Sequence, residues 1–384
     1  MKKLLAVTAA LAVAAPAYAS LKVDSRYDYF TANTQSTTSS SYSSESGFLF
    51  NRLDLAGEEK ITDNVSGKAR LNFMSFASAG TLNDTASGNQ AAKVSRVNPV
   101  LNGLPLGGIP STGVGDIVDF AQITMRYNNW VAVSAGKFER NGFGGFESEV
   151  TSADLYFASQ GYFGSLYLTG ANVDVTITDT QDIKVYLFNN DNSTDGNRMS
   201  YNVVYRGSFG NLDIGANYGV LAEGTTVGTT YGTKDVNRQL VNVGAQYKMG
   251  DWKFRLDYDN MTNGGMTGSY TGTINAASYL SNRGNNTQAN TVVAAARWDL
   301  GNWSPWVQLE STTRTGYQGA LSGDSNDSIF NASIAAEYKT NVNDPFRYQA
   351  AWVQSSASLA GYANNTVNGS YGFLGVRYMG DLLK

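Results

Sequence analysis

Trp252, Phe254, Leu256 and Tyr258 alternate with Lys253, Arg255, Asp257 and Asp259. Residues two apart in a strand share a face, so this segment has one apolar face and one wholly charged face. Charged side chains need water, and such a face cannot contribute to a dry shared core. The same period recurs along the chain. Leu21, Val23, Tyr27 and Tyr29 alternate with Lys22, Asp24, Arg26 and Asp28. Ala69 and Leu71 alternate with Lys68 and Arg70, and Ala121, Ile123, Met125 and Tyr127 with Gln122, Thr124 and Arg126. In the second half Val241–Lys248, Val292–Asp299, Trp303–Glu310, Phe330–Lys339 and Phe346–Trp352 repeat the pattern. Trp130–Phe138 also reads as a strand, although both of its faces are small or weakly apolar.

About sixteen such segments can be counted, an even number. A soluble sandwich alternates too, but its polar face is the outer one. Here the heavily charged face demands water and the apolar face is left for lipid. A transmembrane antiparallel β-barrel with a wet interior meets both demands and leaves no open strand edge. At about sixteen strands the barrel is wide enough for an aqueous channel. The fold class expected is therefore all-β, a single barrel domain over residues 20–384.

The connections alternate short and long. Short ones lie near Asp63-Asn64, Asn128-Asn129, Thr180-Gln181, Phe209–Asn211, Gly250-Asp251, Gly301-Asn302 and Asn341–Pro345. Gly and Asn supply the positive φ that tight hairpins require. Long ones include Thr31–Ser46, Ala77–Gly115, Leu221–Val236 and Met261–Ala289. Short turns on one rim and long loops on the other match the outer-membrane pattern, short turns periplasmic and long loops extracellular. Trp130, Trp252 and Trp303 each stand beside a short turn, where an aromatic interface girdle is expected.

Composition narrows the chemistry. Lys2 and Lys3, the apolar run Leu4–Ala15 and the small-residue site Ala17-Tyr18-Ala19 read as a cleaved signal peptide over residues 1–19. The negative mean hydropathy of −0.27 fits a barrel in which only alternate residues face lipid. There is no cysteine for a disulfide framework and no histidine for a Ser-His or Cys-His pair or a zinc site. No enzymatic activity, metal or cofactor is expected. The acidic balance, net −4, argues against nucleic acid as a partner.

Lys137–Ser159 interrupts the strands. It carries Gly142, Gly144 and Gly145, which permit sharp backbone turns, and the acids Glu139, Glu147, Glu149 and Asp154. Two readings stand: an ordinary Gly-rich surface loop, or a segment spanning residues 140–158 that folds into the lumen and narrows it. In the second reading Arg26, Arg52, Arg70 and Arg126, on the polar faces of neighbouring strands, form a basic wall opposite the acids. The alternative is local pairing, as of Arg52 with Asp54. Asp191-x-Ser193-x-Asp195-Gly196 has the opening of a Ca²⁺ loop, but its twelfth position is Asn202, and it reads as an Asx-rich turn.

Phe50-Asn51-Arg52-Leu53-Asp54-Leu55-Ala56-Gly57-Glu58-Glu59 resembles the second strand of the general diffusion porins of Gram-negative outer membranes. Phe143-Gly144-Gly145 resembles their constriction-loop motif, Pro-Glu-Phe-Gly-Gly-Asp, and lies between the fifth and sixth strands as theirs does. Asn141-Gly142 replace the Pro-Glu, Phe146 stands where the Asp is expected, and Glu147 follows one place later. The chain ends Gly380-Asp381-Leu382-Leu383-Lys384, without the family's terminal aromatic. The resemblance implies a homotrimer, with a subunit contact near Trp130–Gly136, seated in outer-membrane lipid (lipopolysaccharide and phospholipid). It implies passive diffusion of small hydrophilic solutes and ions. A phosphate- or sugar-selective channel, or an adhesin or receptor acting through its loops, are the other functions weighed.

Overall fold

The structure is a computed structural model. It describes residues 20–36, 42–72, 118–140, 166–189, 199–226, 233–263, 288–318, 324–341, 343–359 and 365–383. Sixteen strands follow one another: β1 (Ser20–Ser36), β2 (Tyr42–Thr62), β3 (Val65–Asn72), β4 (Val118–Arg126), β5 (Val131–Arg140), β6 (Leu166–Thr178), β7 (Gln181–Asn189) and β8 (Met199–Phe209). The second half comprises β9 (Leu212–Thr226), β10 (Thr233–Met249), β11 (Trp252–Asn263), β12 (Gln288–Trp298), β13 (Trp303–Gln318), β14 (Asp324–Tyr338), β15 (Phe346–Leu359) and β16 (Asn365–Leu383). Each pairs antiparallel with its neighbours in sequence, and β1 pairs with β16. The barrel is closed, so its ladders leave no edge to be covered.

The period-2 pattern becomes an inside-out molecule. On β11, Arg255, Asp257 and Asp259 point inward and are buried, whereas Phe254, Leu256 and Tyr258 point outward and are exposed. On β1, Arg26 and Asp28 are buried while Tyr27 and Tyr29 are exposed. On β14, Asn331, Ser333 and Glu337 are buried and Phe330 and Ile334 are exposed. β5, ambiguous in sequence, is settled by its neighbours: Ala132, Ser134 and Phe138 take the inner side and Ala135 the outer.

Several strands run further than the hydrophobic pattern extends. β1 continues to Ser36 and β2 begins at Tyr42, inside the stretch that the sequence assigns to a long loop. β9 and β10 likewise extend to Thr226 and from Thr233. β2 reaches 21 residues, about twice the ~9–11 that cross a bilayer. Outside the membrane the apolar face is no longer required, but ladder hydrogen bonding continues, so Ser-, Thr- and Asn-rich strand carries no periodic signal.

The short turns behave as their residues dictate. Gly210, Gly250 and Gly301 have φ of 66°, 58° and 60°, the left-handed region that glycine enters without a Cβ penalty. The Asn128 side-chain oxygen accepts the N–H groups of Trp130 and Val131 at 2.8 Å each, closing the β4–β5 turn. Residues opposite one another form rows perpendicular to the strands. One runs Arg347–Arg377–Arg26–Arg52 across β15, β16, β1 and β2. Arg347 sits beside its short turn, whereas Arg52 lies near the middle of β2, so the row climbs around the barrel as tilted strands require.

Candidate functional site: the polar inner wall

Like charges directly opposite each other destabilise a strand pair. Yet Arg26 faces Arg377 on one side and Arg52 on the other, and Lys253 faces both Lys248 and Arg297. The offset comes from acids two places along the same inner face. Arg26 Nε donates to Asp28 Oδ1 at 2.8 Å, and Arg297 Nε to Asp299 Oδ1 at 2.7 Å. Arg255 donates to Asp257. Across strands, Lys248 pairs with Asp213 at 2.8 Å, Lys253 with Asp299 at 3.2 Å, and Arg347 with Glu337 at 3.0 Å. The spacing Arg-x-Asp within a strand, as at Arg26-Arg255-Arg297, is the sequence signal that locates these pairs: period 2 places both partners on one face.

Arg26 is 1 % exposed. Its guanidinium lies 4.6 Å from the Phe373 ring centre as well as on Asp28. Gly375, opposite Asp28, makes room for this arrangement, because a Cβ there would collide with the Asp28 carboxylate. Arg70 is half-buried, its guanidinium 4.9 Å from the Phe120 ring centre. Arg52 stands opposite Arg26, with only its backbone described; the same holds for Glu139 at the end of β5. Arg126 is the last residue of β4 and is exposed at the short-turn rim. Gly142, Gly144, Gly145, Glu147, Glu149 and Asp154 lie outside the described residues, as do the leader and the Asp191–Gly196 turn.

The wall opposite in sequence, β6 to β10, has a different chemistry. Asn172, Asn202, Asn217 and Asn242 are all buried on the inner side. Among them Lys184 pairs with Asp174 at 3.1 Å and reaches Asp182 at 3.9 Å. Phe138, Tyr186 and Phe188 form an inward ring cluster with Val204. Tyr186 and Phe188 stack at 5.4 Å, and Phe138 meets Tyr186 edge-on at 5.9 Å. Phe138 stands on β5, Tyr186 and Phe188 on β7 and Val204 on β8, and pairing through β6 brings them together, which no local sequence pattern signals.

At the short-turn rim the outer surface carries an aromatic belt. Trp252 stacks on Trp298 at 4.8 Å and on Phe254 at 5.8 Å, Trp303 packs on Tyr338 at 4.7 Å, and Phe346 meets Tyr378 at 5.1 Å. Trp130 and Trp303 are exposed, while Trp252 is half-buried by its stack. Between β12 and β13, burial acts to raise the Asp299 carboxyl, but hydrogen bonds from Arg297 and Ser304, with the charges of Arg297 and Lys253, outweigh it and hold it below the usual carboxylate range. After β14, burial pushes the Lys339 ammonium down, and the neighbouring Arg347 charge pushes the same way.

A closed sixteen-stranded antiparallel barrel, apolar outside and polar within, is the fold of outer-membrane β-barrels. Solved members of that class match it over nearly the whole chain. The outer membrane channel DcaP of Acinetobacter baumannii gives a TM-score of 0.59 at 12% identity, covering 94% of this chain and 97% of that one. OmpF of Salmonella typhi, solved with daunomycin, gives 0.53 at 14% identity, covering 93% and 97%. A loop L8 deletion mutant of OmpT, an outer membrane protein of Vibrio cholerae, gives 0.55 at 14% identity, covering 95% and 100%. No protein-family model matches the sequence, and no curated protein sequence matches it.

Proposed function

We propose that the protein is a porin of the bacterial outer membrane, a water-filled channel for passive diffusion of small hydrophilic solutes and ions, working as a homotrimer without enzymatic turnover. One observation carries the reading: the inner wall holds the charges and the outer wall the apolar side chains, around a closed barrel of channel-forming width. The signal peptide over residues 1–19 would deliver the chain to the membrane.

The constriction in this reading is the β5–β6 connection. Its acids Glu139, Glu147, Glu149 and Asp154 would face Arg26, Arg52 and Arg70, with Arg126 acting at the rim. The ring cluster Phe138–Tyr186–Phe188 supports this placement, because it lies on the inner wall beside the end of β5 from which that connection departs. Planar-bilayer recording tests the function: conductance in steps of three is expected, and a folded barrel that never conducts overturns it. Deleting Gly142–Ser148 should raise the size cut-off in liposome swelling with graded sugars, and an unchanged cut-off would place the segment outside the channel.

A further inference from the structure

We propose that the inner wall from β10 to β16 is an apolar seat, and that its occupant is the β3–β4 connection, residues 73–117 of the same chain. The proposal goes beyond the channel reading, because it adds a second segment inside the barrel, on the side away from β5. Leu240 on β10, Val293 on β12, Ile329 on β14, Val353 on β15 and Phe373 on β16 stand on the inner face and are 0–4 % exposed. Ile329 lies in its row between Thr312 and Ala357, and Val353 has Ser333 across β14 and Ala351 and Ser355 on its own face. Leu240 is opposite Gly219, which has no side chain. Side chains stand roughly perpendicular to a sheet, so neighbours on the wall shield flanks and leave tips open. These tips are dry. They are covered from the lumen side, and an apolar body covers them at a gain in free energy.

Residues 73–117 lie outside the described residues, but their ends and their sequence point to them as the occupant. β3 and β4 are 8 and 9 residues long, against 21 for β2. Asn72, the last residue of β3, pairs with Asp54 halfway along β2, and Leu71 pairs with Val118, the first residue of β4. The connection therefore leaves and rejoins the wall within the height of the barrel. The β1–β2 ladder, by contrast, runs on to Gln35 and Tyr42. The β3–β4 pair has no such course open to it, because Pro99, Pro105 and Pro110 interrupt a ladder. Residues 97–115 carry no charge and present Val97, Val100, Leu101, Leu104, Leu106 and Ile109. So apolar a run needs a dry partner. Each half of the connection, extended, reaches roughly 70 Å. Sixteen strands about 4.8 Å apart enclose a barrel on the order of 30 Å across, so the far wall is within reach. The β11–β12 connection, residues 264–287, instead scatters its apolar residues among Gly, Ser, Thr and Asn.

Thiol labelling tests the seat, and a chain without cysteine gives no background. A small charged maleimide is applied to the full-length, detergent-solubilised barrel, so the readout does not depend on conductance. Val353→Cys should label about tenfold more slowly than Lys253→Cys, whose side chain is 42 % exposed on the same inner wall. Deleting residues 92–115 should bring the two rates together. Fast labelling of Val353→Cys in the undeleted chain means an open wall and overturns the seat. Protection that survives the deletion gives the cover to another segment and overturns the occupant. If the deletion does not fold, oxidation of paired variants decides: Val353→Cys with Leu101→Cys, Leu104→Cys or Leu106→Cys. A bond within one chain, read as a mobility shift on a non-reducing gel, supports the proposal. Bonds only between chains, or none in any pair, overturn it. A barrel that labels as expected and never conducts overturns the channel reading alone.

Discussion

Arg377 on the last strand grips Asp24 on the first with both Nε and Nη2, at 2.7 and 2.5 Å, one to each carboxylate oxygen. This two-pronged pair crosses the seam at which the barrel closes. It also sets the carboxylate beside two cations, since Arg26 stands directly opposite Arg377.

Asp24→Asn should therefore destabilise the closed barrel more than its single lost charge suggests. Removing one partner from a largely buried pair leaves the other desolvated, at a cost of about 3 kcal/mol. Urea unfolding of the refolded protein in lipid should show a lower midpoint. Asp24→Asn combined with Arg377→Gln should lose less than the sum of the two single variants. Strict additivity would mean that the pair is not coupled across the seam.

Gly375→Ala tests the pocket around Arg26. The added methyl collides with the Asp28 carboxylate and lies 3.1 Å from the Tyr27 carbonyl, so Asp28 must leave the guanidinium it neutralises. A loss of about 3 kcal/mol is expected, the range for an unpaired buried charge. Retention of parental stability would show that β1 and β16 part easily at this point.

The short-turn rim should report on pH. The Asp299 carboxyl is held below its ordinary value in the folded state. Its contribution is then fully present above the unfolded carboxyl value of about 3.9 and is lost as pH falls through the lower folded value. Asp299→Asn should be less stable than the parent at neutral pH, and the gap should close below about pH 4. A gap that stays constant down to pH 2 would remove Asp299 as its source.

Ion selectivity provides the test of the residues proposed for the constriction. Glu147→Gln with Glu149→Gln should move the reversal potential toward anion preference, and Arg52→Gln with Arg70→Gln toward cation preference. Two charges ~4 Å apart interact by ~1 kcal/mol in water and ~4 kcal/mol at an effective dielectric near 20, so each shift should be severalfold. Both should shrink between 0.1 M and 1 M salt, as the Debye length falls from ~10 to ~3 Å. Parental reversal potentials in dilute KCl for both variants would take these residues out of the constriction.

How much of this was legible beforehand varies with the range of the signal. The faces of β1, β11 and β14 could be read residue by residue, because alternation is local and charge cannot face lipid. The turns at Gly210, Gly250 and Gly301 were legible for the same reason. The row Arg347–Arg377–Arg26–Arg52 was not: it depends on register between the two ends of the chain, which no local pattern encodes. Nor was the amide arc, because Asn172 and Asn242 are brought to one wall only by the intervening hairpins. The outer ends of β1 and β2 are not legible in the sequence, because polar alternation outside lipid looks like loop.

The tilt of the rows makes the inner wall a screw thread and not a stack of rings. A solute moving along the axis does not meet Arg347, Arg377, Arg26 and Arg52 together. It passes them in turn, each higher and further round than the last. In the channel reading proposed above, a solute that is to stay beside this row must turn as it advances.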